Sequence, residues 1–86
     1  MEGEVKGYHL TKIEKGVLGE FSKIKEEFDE LSDAHLQQNK VLEICELCDL
    51  LGAIKHYASE KFNLSLEDLI QFMQSTERAF ENGGRS

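Results

Sequence analysis

The chain has 86 residues, with 17 acidic against 10 basic side chains and a formal net charge of −7. A chain this short makes one domain with a limited core of its own. An acidic balance also argues against binding a nucleic-acid backbone, which needs a basic face. No apolar run reaches transmembrane length and no signal-peptide pattern stands at the start, so the sequence predicts no membrane partner and a cytoplasmic setting.

Residues 1–16 read as an N-terminal arm. Within it, Gly7-Tyr8-His9-Leu10 is a candidate docking segment; Tyr8 either stacks on a nucleotide base or pins the arm to the core. Thr11-x-x-Glu14 has the spacing of a capping box opening a short turn, with Gly16 and Gly19 limiting its regularity. A first helix is predicted from about Val17 to Leu36. Val17, Phe21, Ile24, Phe28, Leu31 and His35 recur at helical spacing and predict a core-facing stripe. Glu20, Lys23, Glu27 and Glu30 run along one edge of it. Gln37 to Lys40 is a polar connection of the length found between antiparallel neighbours.

The second predicted helix runs to about Lys61 and holds the most apolar stretch of the chain. Val41, Leu42, Ile44, Cys45, Leu47, Cys48, Leu50, Leu51, Ala53, Ile54, Tyr57 and Ala58 surround the cylinder at about 100° per residue instead of forming one stripe. Such a helix is expected to be buried, and in so small a chain that requires cover from a second copy. A third helix opens at a second capping box, Ser65-x-x-Asp68, and carries Leu66, Leu69, Ile70, Phe72, Met73 and Phe80. Asn82-Gly83-Gly84 ends it. The prediction is all-α: an antiparallel helical hairpin plus a C-terminal helix over 17–82, a frayed tail at 83–86, and an oligomer.

Two acid pairs carry the chemistry. Glu46 and Asp49, three apart on a helix, lie about 5–6 Å apart at Cβ. Carboxylates in apolar surroundings are costly unless something positive meets them. Glu27 and Glu30 have the same spacing on the first helix, and antiparallel packing lets the two pairs face each other. Four oxygen donors suit a hard divalent ion, Mg²⁺ or Mn²⁺, and not zinc. The bland alternative for Glu26, Glu27, Asp29 and Glu30 is a solvated helix face; the apolar setting of the second pair weighs against it.

Lys25-Glu26-Glu27-Phe28-Asp29-Glu30-Leu31, followed after a gap by Glu46-Leu47-Cys48-Asp49-Leu50-Leu51, resembles the all-α nucleoside triphosphate pyrophosphohydrolases of the MazG type. The resemblance spans roughly residues 17–57 and, more weakly, the last helix. It implies that Glu27, Glu30, Glu46 and Asp49 are metal ligands holding Mg²⁺ against a nucleotide triphosphate. It further implies hydrolysis to a monophosphate and pyrophosphate, and assembly as a dimer or tetramer. Many members carry Asn and Lys on the last helix where this chain has Glu77 and Ala79, with Arg78 between them and out of register. That departure raises an alternative, a catalytically silent nucleotide sponge of the kind phages use against host immune signalling. A purely structural hairpin would leave the acid pair unexplained.

Glu27 and Glu30 are the candidate catalytic residues, one of them as general base for the attacking water. Tyr8, Lys23, His56 and Arg78 are candidate nucleotide contacts. His56 either meets phosphate or activates water from the acid face, or is a plain surface histidine; Lys25 and Lys55 also lie near the acids. Cys45-Glu-Leu-Cys48 sits in a helical apolar pattern and not at a strand-to-helix junction. It therefore predicts buried, reduced small hydrophobes and not a redox or zinc site.

Overall fold

In a computed structural model the described residues are 10–81, with side chains described as far as Arg78. Three helices and no strands occur among them: α1 (Phe21–Leu36), α2 (Lys40–Phe62) and α3 (Leu66–Glu81). Tyr8 and the Asn82-Gly83-Gly84 stop lie outside the described residues.

Local chemistry fixes the helix ends. The segment before α1 closes a turn in which the Glu20 N–H donates to the Val17 carbonyl at 2.9 Å. Gly19 there has φ +92°, a left-handed conformation that a side chain disfavours. The helix therefore starts at Phe21 and not at Val17. At its far end Gln38 is left-handed, with φ 57°, and the Asn39 N–H reaches back to the Ala34 carbonyl at 3.3 Å. Asn39 then caps α2, its side chain accepting from the Leu42 N–H at 3.0 Å. Asn63, at φ 55°, ends α2 by the same left-handed device. The Ser65 capping box forms as predicted: Ser65 N–H donates to Asp68 Oδ2 at 2.9 Å, and Asp68 N–H to Ser65 Oγ at 3.1 Å.

α1 packs along α2 over much of its length, whereas α3 touches the pair only sparsely. The radius of gyration is 15.4 Å, against roughly 12 Å for a compact domain of this length.

Residues 10–16 form a strap held across α1 by two buried carboxylates. Asp33, 1 % exposed, accepts from the Leu10 N–H at 2.7 Å, the Thr11 N–H at 2.9 Å and the Thr11 hydroxyl at 3.0 Å. It also accepts from Gln37 Nε2 at 2.7 Å. Thr11 thus serves Asp33 and opens no helical turn. About two turns toward the N-terminus, Glu26, 3 % exposed, accepts from the Gly16 N–H at 2.9 Å. A Cβ on Gly16 would sit 2.2 Å from the Ser22 carbonyl oxygen, so only glycine allows this approach.

The strap changes which face of α1 is inside. Glu26 and Asp33 face it, while Glu27 and Ala34 are buried on the other flank. The predicted core stripe is rotated out: Val17, Phe21, Phe28 and His35 are exposed, and Ile24 and Leu31 are half-buried. His35 pairs with Glu43 instead, Nδ1 to Oε2 at 3.2 Å. Phe21 stacks edge-on against Tyr57, which does the same with Phe62. On α2, Val41, Ile44, Leu47 and Leu51 are exposed. Cys45 and Cys48 are exposed free thiols, contrary to their predicted burial, because they lie away from the face that meets α1. The buried apolar residues among those described are Ala34, Ala53 and Ala58.

Candidate functional site

The buried seam between α1 and α2 is acidic. Glu27 and Glu30, one turn apart on α1, meet Glu46 and Asp49, one turn apart on α2. One carboxylate oxygen from each lies within 4.8 Å of all the others. Glu27 and Glu46 are each 5 % exposed, Glu30 is half-buried, and Asp49 stands at the open edge. A solvated helix face does not describe Glu26 or Glu27.

Like charges this close cannot all ionise. The strain falls on Glu30, whose pKa is pushed up to about 8 by burial, then by the Glu27 charge, then by hydrogen bonding to and the charge of Glu46. Its carboxyl also shares a hydrogen bond with Glu26. Glu30 therefore holds a proton at neutral pH when no cation is near, and donates it to one neighbouring carboxylate at a time. Glu27 Oε1 is buried with no hydrogen-bond partner among the described residues, an arrangement that costs free energy unless a cation meets it.

Lys23 is the cation at the edge of this cluster, with Nζ 2.9 Å from Glu27 Oε2 and 3.1 Å from Glu26 Oε1. Burial works against its charge, but hydrogen bonds to Glu27 and Glu26 hold its pKa above the ordinary lysine value. Glu26 is displaced downward: burial opposes its ionisation, and the Gly16 N–H and Lys23 outweigh it. Lys25 is committed elsewhere, in an exposed pair with Asp29 at 2.9 Å.

The donor set has the chemistry a hard divalent ion takes: four carboxylates, no sulfur or imidazole, with oxygens that would close by a few tenths of an ångström from their 4.8 Å spread to hold Mg²⁺. The other candidate contacts are not gathered here with the same definition. His56 is exposed on α2, and Arg78 is exposed on α3, the helix with sparse contact to the hairpin. Tyr8 lies outside the described residues. Sequence reasoning missed Asp33 and the anchoring role of Glu26; the one available signal was a carboxylate spacing of seven on α1, two turns along one face. No helix among the described residues is long and apolar enough to cross a membrane. Compared with protein-family models, curated proteins and solved structures, the chain matches none.

Proposed function

We propose that this chain is a MazG-like, Mg²⁺- or Mn²⁺-dependent nucleotide-binding protein that hydrolyses a nucleoside triphosphate to a monophosphate and pyrophosphate, working as a homo-oligomer. The observation that carries the reading is the convergence of Glu27, Glu30, Glu46 and Asp49, two of them deeply buried, with one carboxylate oxygen of each within 4.8 Å of the others. These four would hold the ion, which when bound offsets the charge of the phosphates and acidifies water. Glu27 and Glu46 would offer their carboxylates from within the buried seam, where a charge acts most strongly. Asp49, at the open edge, is the ligand nearest to solvent and so to an arriving phosphate. Near a cation Glu30 gives up its proton, since the positive charge reverses the crowding that raised its pKa. Either Glu27 or Glu30 then takes the proton of the water that attacks the α-phosphorus as the bond to the β-phosphate oxygen breaks. Lys23 steadies Glu27 at 2.9 Å and is the basic group best placed to meet a phosphate oxygen.

A second reading, the silent nucleotide sponge, is favoured by a specific feature. Arg78 is carried on a helix with sparse contact to the acidic hairpin, and Glu77 adds negative charge beside it. Binding would then proceed with few groups to stabilise a leaving pyrophosphate. Incubation with a panel of nucleoside triphosphates and Mg²⁺, followed by chromatography, separates the two. Multiple-turnover release of pyrophosphate identifies the hydrolase; an intact, stoichiometric ligand recovered after denaturation identifies the sponge. Neither binding nor conversion of any nucleotide would overturn both.

A further inference from the structure

Resting on the metal-site reading above, we propose that the strap positions Lys23: by seating Glu26, it holds the Lys23 ammonium at the rim of the acidic cluster, where it steadies Glu27 without taking the ion's place. The contacts run from Gly16 to Glu26 to Lys23 to Glu27. The Gly16 N–H donates to Glu26 Oε1 at 2.9 Å. Lys23 Nζ lies 3.1 Å from that same oxygen and 2.9 Å from Glu27 Oε2. Glu26 and Glu27 are consecutive on α1, so they point about 100° apart, one toward the strap and one into the seam with α2. Lys23 stands three residues before the first and four before the second, the two spacings at which helical side chains meet. One ammonium therefore straddles both flanks.

Sharing keeps the cluster open to an ion. Glu27 Oε2 is committed to Lys23, while Oε1 has no hydrogen-bond partner among the described residues. An ammonium has three donors, and each of the four acids places an oxygen within 4.8 Å of the others. Released from Glu26, Lys23 is drawn to those oxygens and becomes a tethered competitor for the divalent ion. Glu26 prevents this while it is fixed, and the backbone group that fixes it is the Gly16 N–H. Lys15 does not substitute for Lys23, since its Nζ lies 3.9 Å from Glu26 Oε2 and its side chain is 89 % exposed. The two anchors of the strap thus differ in their work. Asp33 holds Leu10 and Thr11, about two turns from Glu26, whereas Glu26 also sets the affinity for the ion.

Titration of the whole chain with Mn²⁺ alone, free ion being read by electron paramagnetic resonance, tests this. Glu26→Gln is expected to lower Mn²⁺ affinity by about tenfold. Adding Lys23→Met to it should restore affinity to within about threefold of wild type, whereas Lys23→Met alone should change it by less than about threefold. A bare charge effect gives Lys23→Met the same factor in both backgrounds, and that result would overturn the proposal. Gly16→Ala changes no charge, but its Cβ would lie 2.2 Å from the Ser22 carbonyl oxygen and unseat the strap at Glu26, so affinity should fall as in Glu26→Gln. Asp33→Asn, at the other anchor, should leave affinity within about twofold. Wild-type affinity in Gly16→Ala, or a loss in Asp33→Asn as large as in Glu26→Gln, would overturn the part given to the strap. A wild-type chain that binds no Mn²⁺ would overturn the metal site itself. Should Gly16→Ala not fold, the cycle of Glu26 and Lys23 variants still decides.

Discussion

Asp49 and Asp29 are both aspartates on helices of the hairpin, yet only Asp49 reaches the acidic cluster; Asp29 is tied to Lys25 at 2.9 Å. Asp49→Ala is expected to weaken Mg²⁺-dependent nucleotide binding by about tenfold or more, the cost of about 1.4 kcal/mol. Asp29→Ala should leave it within twofold, since exposed ion pairs contribute little. Equal losses in a calorimetric titration would remove Asp49 from the site. Glu30 gives a pH signature. Its pKa in the folded chain stands near 8, above the roughly 4.3 of a free glutamate, so between those values the folded state holds a proton that the unfolded state has lost. Its contribution is fully present below the unfolded value and is lost as pH rises through about 8. In chelator, thermal stability should therefore fall from pH 5 to pH 8, and Glu30→Gln should flatten that slope. A slope unchanged by Glu30→Gln would assign the pH dependence to other groups.

The strap is the element on which the sequence was least legible. The four acids of the cluster could be found because Glu27/Glu30 and Glu46/Asp49 share a spacing of three, and α1 packed on α2 brings the two pairs together. Asp33 and Glu26 were not found, since their spacing of seven puts them on one face but does not say that they accept backbone N–H groups from a distant segment. The same omission misdirected the α1 stripe. Phe21, Phe28 and His35 have the spacing of a core face, but the strap and α2 occupy the two flanks lined by acids and Ala34, and the aromatic flank is left outside. The capping signals, by contrast, are local chemistry, and Ser65 with Asp68 could be read directly. Asp33→Ala leaves the Leu10 and Thr11 N–H groups and Gln37 without their shared acceptor, and is expected to cost about 3 kcal/mol, at the upper end for hydrogen bonds to a charged group. Burial opposes the Asp33 charge, but the bonds from Gln37, Leu10 and Thr11 hold its pKa below the ordinary aspartate value. Its stabilisation is thus present above about pH 3.9 and disappears as pH falls through the lower folded value. Amide exchange at Leu10 and Thr11 should accelerate in Asp33→Ala and in wild type at acid pH, ahead of exchange in α2. Protected strap amides in the variant would show that Asp33 does not hold the segment.

At the scale of the whole molecule, stability has two deficits: the fully buried apolar residues among those described are all alanine, and the second deficit is a crowded acidic seam. A divalent ion addresses the second and depends on pH, since it competes with the Glu30 proton. An ion that binds only the folded state stabilises it by RT ln(1 + [L]/Kd), about 2.7 kcal/mol at a hundredfold excess over Kd. For a domain of this size that corresponds to a rise of about 10 °C or more in Tm. Mg²⁺ and Mn²⁺ are therefore expected to raise the Tm, more at pH 8 than at pH 6, because at pH 6 part of the binding free energy goes into removing the Glu30 proton. Asp49→Ala should abolish the rise. A melting curve that millimolar Mg²⁺ and Mn²⁺ leave unmoved at both pH values, with or without nucleotide, would sink the metal site. The acidic seam would then be a purely structural, proton-bridged contact centred on Glu30.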